Sequence, residues 1–114
     1  MKQIIVFLLV LVLSVPLFAD FDGPGAASRA IPVSSIRSLR DDDKVTLEGF
    51  LVKQLSEEHY LFRDDSGEIE VEIDEEDFRG IRVTETTAIR IYGEVDKDWN
   101  SLSIEVDYLE LIPE

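Results

Sequence analysis

Cysteine is absent from this chain of 114 residues, which also contains a single histidine, a single tryptophan and a single methionine. Without cysteine the chain has no disulfide, no thiolate ligand for a metal ion and no amino-terminal cysteine to carry a lipid. The lone histidine, His59, has no second imidazole with which to form a metal site. We therefore expect packing alone to stabilise the fold, with no cofactor and no bound metal.

Basic residues are scarce, because the sequence has 11 Lys and Arg against 25 Asp and Glu and a formal net charge of −14 at pH 7. A negative field of this size repels phosphate backbones and favours neutral or cationic partners. The charge therefore predicts that nucleic acid is not a partner.

The first nineteen residues combine one positive charge, Lys2, with an apolar run from Ile4 to Leu13 and end at Ala19. This pattern is typical of a signal peptide, here residues 1–19. The apolar run is too short to cross roughly 30 Å of hydrocarbon at about 1.5 Å per residue. We expect export without stable membrane insertion. Cleavage would remove one basic and no acidic residue and leave 95 residues with a formal charge of −15.

Residues 20–32 are rich in Gly, Ala, Ser and Pro and lack a hydrophobic period, which predicts a flexible tether. The remaining residues, 33–114, have room for one domain with one core. The segment from Ser34 to Arg40 predicts a short helix of two turns, capped by Ser34 or Ser35. The acidic triplet Asp41 to Asp43 would end this helix, because negative charge at a helix carboxyl end opposes the dipole.

From Lys44 onward the hydrophobic period is two, which predicts strands. Gly49 lies inside the first long strand and indicates a bulge or a sharp coil, where one strand serves two parts of a barrel. The turn before the third strand is predicted to use Gly67 at positive φ. The predicted strands are Val45 to Leu55, His59 to Asp64, Glu68 to Ile73, Ala88 to Val95 and Ser101 to Ile112.

The third predicted strand alternates most regularly, with apolar residues at 69, 71 and 73 and glutamates at 68, 70 and 72. Its apolar face predicts core, and its other face predicts a row of solvent-exposed carboxylates. Between this strand and the fourth, Asp74 to Arg82 predicts a single helical turn. A long first strand, two hairpins in succession, this insert and a final hairpin favour an all-β, five-stranded OB-fold Greek-key barrel. An open five-stranded meander is the alternative, but only closure removes the exposed strand edges.

Several segments also carry a family resemblance: Gly23-Pro24, Arg40 to Asp42, Val45 to Gly49, Tyr60 to Asp64 with Gly67, and Gly93 to Ser101. From about Gly23 to the carboxyl end the chain resembles the bacterial OB-fold (BOF) proteins, the YgiW/YdeI-like stress-tolerance group. The segment from Gly93 to Ser101 is the most specific part. The resemblance implies a periplasmic domain that binds a ligand or an envelope partner during stress, without enzymatic activity.

Trp99 is the main candidate for ligand binding, because it lies in the loop between the fourth and fifth strands, which edges the usual OB-fold cleft. With Asp98 and Asn100 it would form one rim, and His59 and Tyr60 would lie near the opposite rim. An indole in this position would offer a stacking surface for a sugar ring or a partner side chain. The alternatives are an indole folded back over the barrel end and a histidine that is merely solvated.

The segment from Asp96 to Asp107 partly matches a calcium-binding loop. Ser101 stands where that pattern requires Gly, and the strand period from Leu102 to Val106 would carry Asp107 away from the turn. A polar hairpin turn is therefore the preferred interpretation. No catalytic residues are predicted, since every carboxylate falls at a turn or on a polar strand face rather than in an apolar pocket.

The sequence thus favours a binding module for a small molecule, a cell-envelope glycan or an envelope protein. The rival is an acidic scaffolding or chaperone-like protein without a defined pocket, and a weak hydrolase is the third possibility. The ligand, the oligomeric state and the stress are not identified by the sequence.

Export predicts a processed amino terminus. Mass spectrometry of the protein isolated from its native host should find a chain that begins close to Asp20, because the apolar run and Ala19 have the pattern of a cleaved signal. Recovery of the full-length chain in the membrane fraction would contradict this prediction.

Overall fold

Five strands account for most of the chain that the computed structural model describes, residues 29–113. They are β1 (Lys44–Gln54), β2 (His59–Asp64), β3 (Gly67–Glu72), β4 (Ile89–Asp98) and β5 (Ser101–Leu111). The predicted signal peptide and the first nine residues of the predicted tether lie outside the described residues. Within residues 29–113 no helix has the length and apolar character needed to cross a membrane.

The strands form a closed barrel in the order β1-β2-β3-β5-β4. All neighbouring strands are antiparallel except β3 and β5, which pair in parallel through Glu70–Ser103, Val71–Ile104 and Glu72–Glu105. The prediction of an all-β OB-fold barrel is confirmed, and the open meander is wrong. Every predicted strand is present within two or three residues of its expected ends.

Alternating apolar residues fill the barrel because each strand turns every second side chain inward. On β3, Ile69, Val71 and the following Ile73 are buried as the period predicted. Burying one such side chain contributes about 1.5–3 kcal/mol. The largest fully buried side chain is Phe62 of β2, and it lies among Leu47, Ile91, Ile104, Leu109 and the other buried aliphatic residues of the core.

β1 serves two parts of the barrel, as its central glycine suggested. Residues 44–49 pair with β4, and residues 50–54 pair with β2. The change occurs at Gly49, where a Cβ atom would collide with the backbone carbonyl of Arg63. The irregularity in strand register lies later, between Leu51 and Lys53, so the predicted bulge at Gly49 itself is wrong. Gly49 is needed for close approach of two strands rather than for a bulge.

The short helix before β1 is a 3-10 helix, Val33–Ser38, and it is shorter than predicted. Its Val33 and Ile36 are buried against the barrel. The predicted serine cap is wrong: Pro32 occupies the N-cap position and no side chain caps the helix. The amide of Val33 instead donates to Asp64 Oδ2 at 2.9 Å, so the β2–β3 turn supplies the acceptor.

The turns differ from the sequence expectations in two places. Gly67 begins β3 and is not among the positive-φ residues, because Asp64 organises the turn by accepting hydrogen bonds from Ser66 and Gly67. Positive φ occurs instead at Asp42 (72°), before β1, and at Arg79 (50°) and Gly80 (76°), after a 3-10 helix at Glu75–Phe78. This interstrand 3-10 helix is the single helical turn that the sequence predicted between β3 and β4.

Gly93 of β4 offers a direct test of close strand approach. A Cβ atom there would collide with the backbone carbonyl of Glu105, whereas a Cβ atom on Gly67 would meet only Val33 Cγ1 at 3.8 Å. Gly93→Ala should lower the free energy of unfolding by about 1–3 kcal/mol, the range for overpacking. Gly67→Ala is the matched control and should be neutral or slightly stabilising. Urea denaturation that finds Gly93→Ala as stable as the parent would contradict the register.

Candidate functional site

The β4–β5 hairpin ends in a tight turn formed by Trp99 and Asn100. Asp98 pairs with Ser101 across this turn, and the Ser101 hydroxyl donates to Asp98 Oδ1 at 2.7 Å. Trp99 is 92% exposed, so the alternative of an indole folded back over the barrel is wrong. The turn is shorter than the predicted Asp96 to Asn100 loop, since β4 continues to Asp98.

Lys97 holds the hairpin against the segment that precedes β1. Its Nζ donates to the carbonyl oxygens of Arg37 and Leu39, each at 2.9 Å, and its backbone amide donates to Asp41 Oδ1 at 2.8 Å. Two residues earlier on the same strand, the carbonyl oxygen of Val95 accepts a hydrogen bond from the amide of Asp42 at 2.7 Å. The exposed indole is therefore mounted on a hairpin with a fixed base.

Tyr60 lies at the other rim and is partly committed to packing. Its ring packs against the core and meets Phe78 edge-on at a centroid distance of 5.8 Å. Burial raises the pKa of the Tyr60 hydroxyl above its usual value, and the charges of Glu75 and Glu58 raise it further. Tyr60 thus stabilises the barrel end, and only part of its ring is available to a ligand.

His59 lies on the outer face of β2, where its Nδ1 is 2.6 Å from Glu70 Oε2. Arg63 of the same strand forms an ion pair with Glu68, with Nε donating to Oε2 at 2.7 Å. The glutamates at 68, 70 and 72 form the outward row that the sequence predicted. Arg63 and His59, which face this row from β2, are both bonded to it, so they are not free to bind phosphate.

The predicted site residues fall into two groups at opposite ends of β3. His59 pairs with Glu72 at the carboxyl end of β3. Ser101, which follows the Trp99–Asn100 turn, lies level with the amino end of β3, because the parallel register places Ser103 opposite Glu70. The outer face of β2 and β3 therefore separates the two rims, as it does in an OB-fold cleft.

Carboxylates face one another across three neighbouring strands. Glu72 of β3 pairs with Glu105 of β5, and Glu105 pairs with Glu94 of β4. Burial raises the pKa of Glu105, and the charges of Glu72, Asp107, Glu94 and Asp96 raise it further. Burial and the charge of Glu94 likewise raise the pKa of Asp107. Like charges directly opposite in a sheet destabilise it.

A second group of carboxylates could hold a cation. Oxygen atoms of Glu58, Glu72 and Asp74 all lie within 4.8 Å of one another. The charge of Asp74 raises the pKa of Glu58, and desolvation and the charge of Glu72 add to the shift. The segment from Asp96 to Asp107, in contrast, is a hairpin, which is the preferred interpretation of the sequence: Asp96 and Asp98 belong to β4, and Asp107 belongs to β5.

Two further carboxylates, Asp64 and Glu110, have structural partners. Burial tends to raise the pKa of Asp64, but hydrogen bonds from Ser66, Val33 and Gly67 outweigh it and lower the value. The hydrogen bond from Arg90 lowers the pKa of Glu110. Within residues 29–113 every buried side-chain nitrogen or oxygen has a hydrogen-bond partner. These groups account for stability and do not assemble an acid–base pair around a pocket.

One cluster was missed by sequence reasoning. Tyr92 of β4 and Tyr108 of β5 lie side by side on the outer face, with ring centroids 5.6 Å apart, and the guanidinium carbon of Arg79 lies 4.4 Å above the Tyr108 ring. The register of β4 and β5 shifts after Tyr92, so Tyr92 pairs with Tyr108 while Gly93 pairs with Val106. Simple alternation along β5 does not reveal this pairing.

The closed barrel, with its inserted 3-10 helix and its rims at the β1–β2 and β4–β5 turns, defines an OB-fold protein. Residues 17–111 match the family described as bacterial OB fold (BOF) protein. The chain belongs to this family, as the sequence resemblance indicated.

Among similar proteins, YgiW of Escherichia coli is 46% identical over 80 residues, which cover 70% of this chain and 62% of YgiW. The calcium-regulated OB-fold protein CarO of Pseudomonas aeruginosa is 37% identical over 99 residues, covering 87% of this chain and 85% of CarO. A solved structure of E. coli YgiW has a TM-score of 0.74 at 43% identity and covers 82% of this chain and 98% of that chain. The sequence match to YgiW, at 62%, spans less than two thirds of the length of that protein.

The row formed by Glu72, Glu105 and Glu94 predicts a pH-dependent stability. The folded state raises the pKa of Glu105, so it binds protons more readily than the unfolded state and loses stability as pH rises through that pKa. Glu105→Gln should therefore raise the free energy of unfolding at pH 7 by about 0.2–1 kcal/mol. The gain should shrink between pH 7 and pH 4, where the parent carboxylate becomes protonated.

Thermal melts at both pH values measure this difference. Glu85→Gln removes the same charge from an exposed turn outside the strands and serves as the control. An equal gain from both variants would mean that overall charge, rather than the cross-strand row, is responsible.

Proposed function

We propose that this protein is an exported, periplasmic binding module of the stress-tolerance type. It docks a cell-envelope glycan or an envelope protein across the face between the β1–β2 turn and the β4–β5 hairpin, with Trp99 as the stacking residue. Trp99, Asp98 and Asn100 form one rim, and His59 and the exposed part of Tyr60 form the other. The protein acts by binding rather than by catalysis.

The exposure of Trp99 carries the proposal. A tryptophan that is 92% exposed contributes little to packing, although it is the side chain with the largest apolar surface. Its hairpin is fixed at the base by the hydrogen bonds of Lys97 to Arg37 and Leu39. A fixed hairpin lowers the entropy cost of binding, because the backbone that carries the indole is already ordered.

The surroundings of Trp99 favour a neutral or cationic ligand. Asp98 and Asn100 flank the indole with hydrogen-bonding groups, which suit the hydroxyls and amides of a sugar. The face between the rims carries the glutamates of β3, and its Arg63 and His59 are bonded to Glu68 and Glu70. Binding of single-stranded nucleic acid in this fold uses a positively charged groove. This face offers no such groove, so nucleic acid is not the expected ligand.

Nucleic-acid-binding relatives of the fold do not alter this proposal. A chain of a replication protein A heterotrimer bound to ssDNA has a TM-score of 0.61 to this protein at 14% identity. A likeness at that level of identity concerns the barrel alone, because one fold carries many unrelated sites.

The rival function is an acidic scaffold or chaperone-like protein that acts through charge alone. Its motivation is the formal charge of −15 that would remain after cleavage near Ala19. A charge effect would be weakened by salt and would not saturate at one equivalent, whereas stacking on Trp99 would saturate and depend little on salt. Salt dependence therefore separates the two functions.

Truncation of Trp99 tests the binding proposal. Titration with soluble peptidoglycan fragments should change Trp99 fluorescence and saturate in the parent protein. Trp99→Ala should weaken the affinity measured by calorimetry by about 1–3 kcal/mol, the range for loss of ring stacking. Its thermal midpoint should change by less than about 2 °C, because an exposed side chain has few contacts to lose.

Trp99→Phe keeps an aromatic surface and should retain most of the affinity. Leu111→Ala is the matched control, because it removes another exposed apolar side chain, at the far end of β5, and should leave the affinity unchanged. A single-stranded oligonucleotide at low salt is the negative control. Unchanged affinity in Trp99→Ala, or binding of the oligonucleotide at micromolar concentration, would overturn the proposal.

A further inference from the structure

Tyr92 and Tyr108 form an aromatic platform on the outer face of β4 and β5, away from the rim that carries Trp99. The two residues are directly paired across the strands, and their rings are tilted by 44° with centroids 5.6 Å apart. Both residues are half-buried and so remain partly exposed to solvent. Because the rings are tilted, the platform is not a flat stack.

Hydrogen bonds fix the Tyr92 side of the platform. The Tyr92 hydroxyl donates to Glu110 Oε2 at 2.9 Å, and Arg90 Nη1 donates to the same oxygen at 2.6 Å. Arg90 also donates through Nε to Glu48 Oε2 at 2.7 Å, which joins β5 to β1 through β4. Because these bonds hold Tyr92 in place, the tyrosine pair is preorganised.

A guanidinium group already occupies the Tyr108 side. The guanidinium carbon of Arg79 lies 4.4 Å from the Tyr108 ring centroid, well inside the distance of about 6 Å at which a cation is attracted by a ring face. Arg79 is exposed, and within residues 29–113 it forms no salt bridge. Contact with the ring is thus its one identified electrostatic interaction in the described part of the chain.

Carboxylates border the platform on both sides. In the strand register, the row Arg90–Glu110 lies before the tyrosine pair and the row Glu94–Glu105 lies after it. Glu110 is neutralised by Arg90, and Glu94 forms an ion pair with Lys44 at 3.6 Å. Glu94 also faces Glu105 and, across the hairpin, Asp107, so the carboxylates on this side outnumber their one cation. A planar cation placed over the tyrosines would meet both a ring face and a carboxylate, which is the pair of contacts that guanidinium groups favour.

We propose that the Tyr92–Tyr108 platform is a binding site for an arginine side chain of a partner protein, and that Arg79 is its internal occupant. Arg79 competes with the partner for the Tyr108 ring, and its side chain must leave the ring before the partner binds. The site is separate from the Trp99 rim and does not depend on the function proposed for that rim.

The competition can be measured by removing the occupant. Arg79 has φ of 50°, a left-handed conformation that Asn tolerates well, so Arg79→Asn removes the guanidinium with little backbone strain. The probe is acetyl-Gly-Arg-Gly-amide, titrated at low salt and followed by NMR shifts of the Tyr92 and Tyr108 amides. Arg79→Asn should bind the peptide at least about fivefold more tightly than the parent, since one cation–π contact no longer competes.

Three controls decide the assignment. Addition of Tyr108→Leu to Arg79→Asn should abolish the gain, and acetyl-Gly-Lys-Gly-amide should bind more weakly than the arginine peptide. Trp99→Ala should leave the gain unchanged. The proposal is overturned if Arg79→Asn binds no more tightly than the parent, if lysine binds equally well, or if Tyr108→Leu has no effect. Shifts centred on residues outside the platform would overturn it as well.

Discussion

Closure of the barrel by the short parallel pairing of β3 with β5 determines most other features of this molecule. Glu70, Val71 and Glu72 meet Ser103, Ile104 and Glu105 there, and the apolar member of each strand points into the core. Because the closed barrel is filled by the apolar core, the large excess of carboxylates must lie on its outer surface. Glu72 and Glu105 consequently face each other, although like charges across a sheet are unfavourable. The core must offset this repulsion, since the sequence has no cysteine to form a disulfide.

The same closure divides the candidate binding surface. Because β3 and β5 run in parallel, the turn that carries Trp99 and the strand end that carries His59 lie at opposite ends of β3. On the outer face between them, Arg63 and His59 of β2 are bonded to the glutamates of β3, as the contact of His59 with Glu70 illustrates. In the proposed function, recognition therefore depends on the rims more than on the charge of the face. At the Trp99 rim, Lys97 provides a fixed base for the exposed indole.

Much of the fold could be predicted from the sequence because period-two patterning reports directly on burial in a barrel. The alternation around Val71 identified β3, and the position of Trp99 in the last hairpin identified one rim. Features governed by contacts between distant segments could not be predicted. The amide of Val33 donates to Asp64 across 31 residues, and Arg79 reaches Tyr108 only after a left-handed turn. Neither contact leaves a local pattern, and the register shift between β4 and β5 conceals the tyrosine pair.

The central claim is that ligand recognition occurs at the rims of the β2–β3 face, with the Trp99 hairpin as its fixed element. An NMR titration of the uniformly ¹⁵N-labelled domain with soluble peptidoglycan fragments, repeated at low and high salt, tests this claim most directly. The account predicts saturable shifts at Trp99, Asn100 and Ser101, with smaller shifts at His59, that persist at high salt. Shifts that spread over the carboxylate rows and vanish as salt is added would contradict it, because they would show association through charge alone.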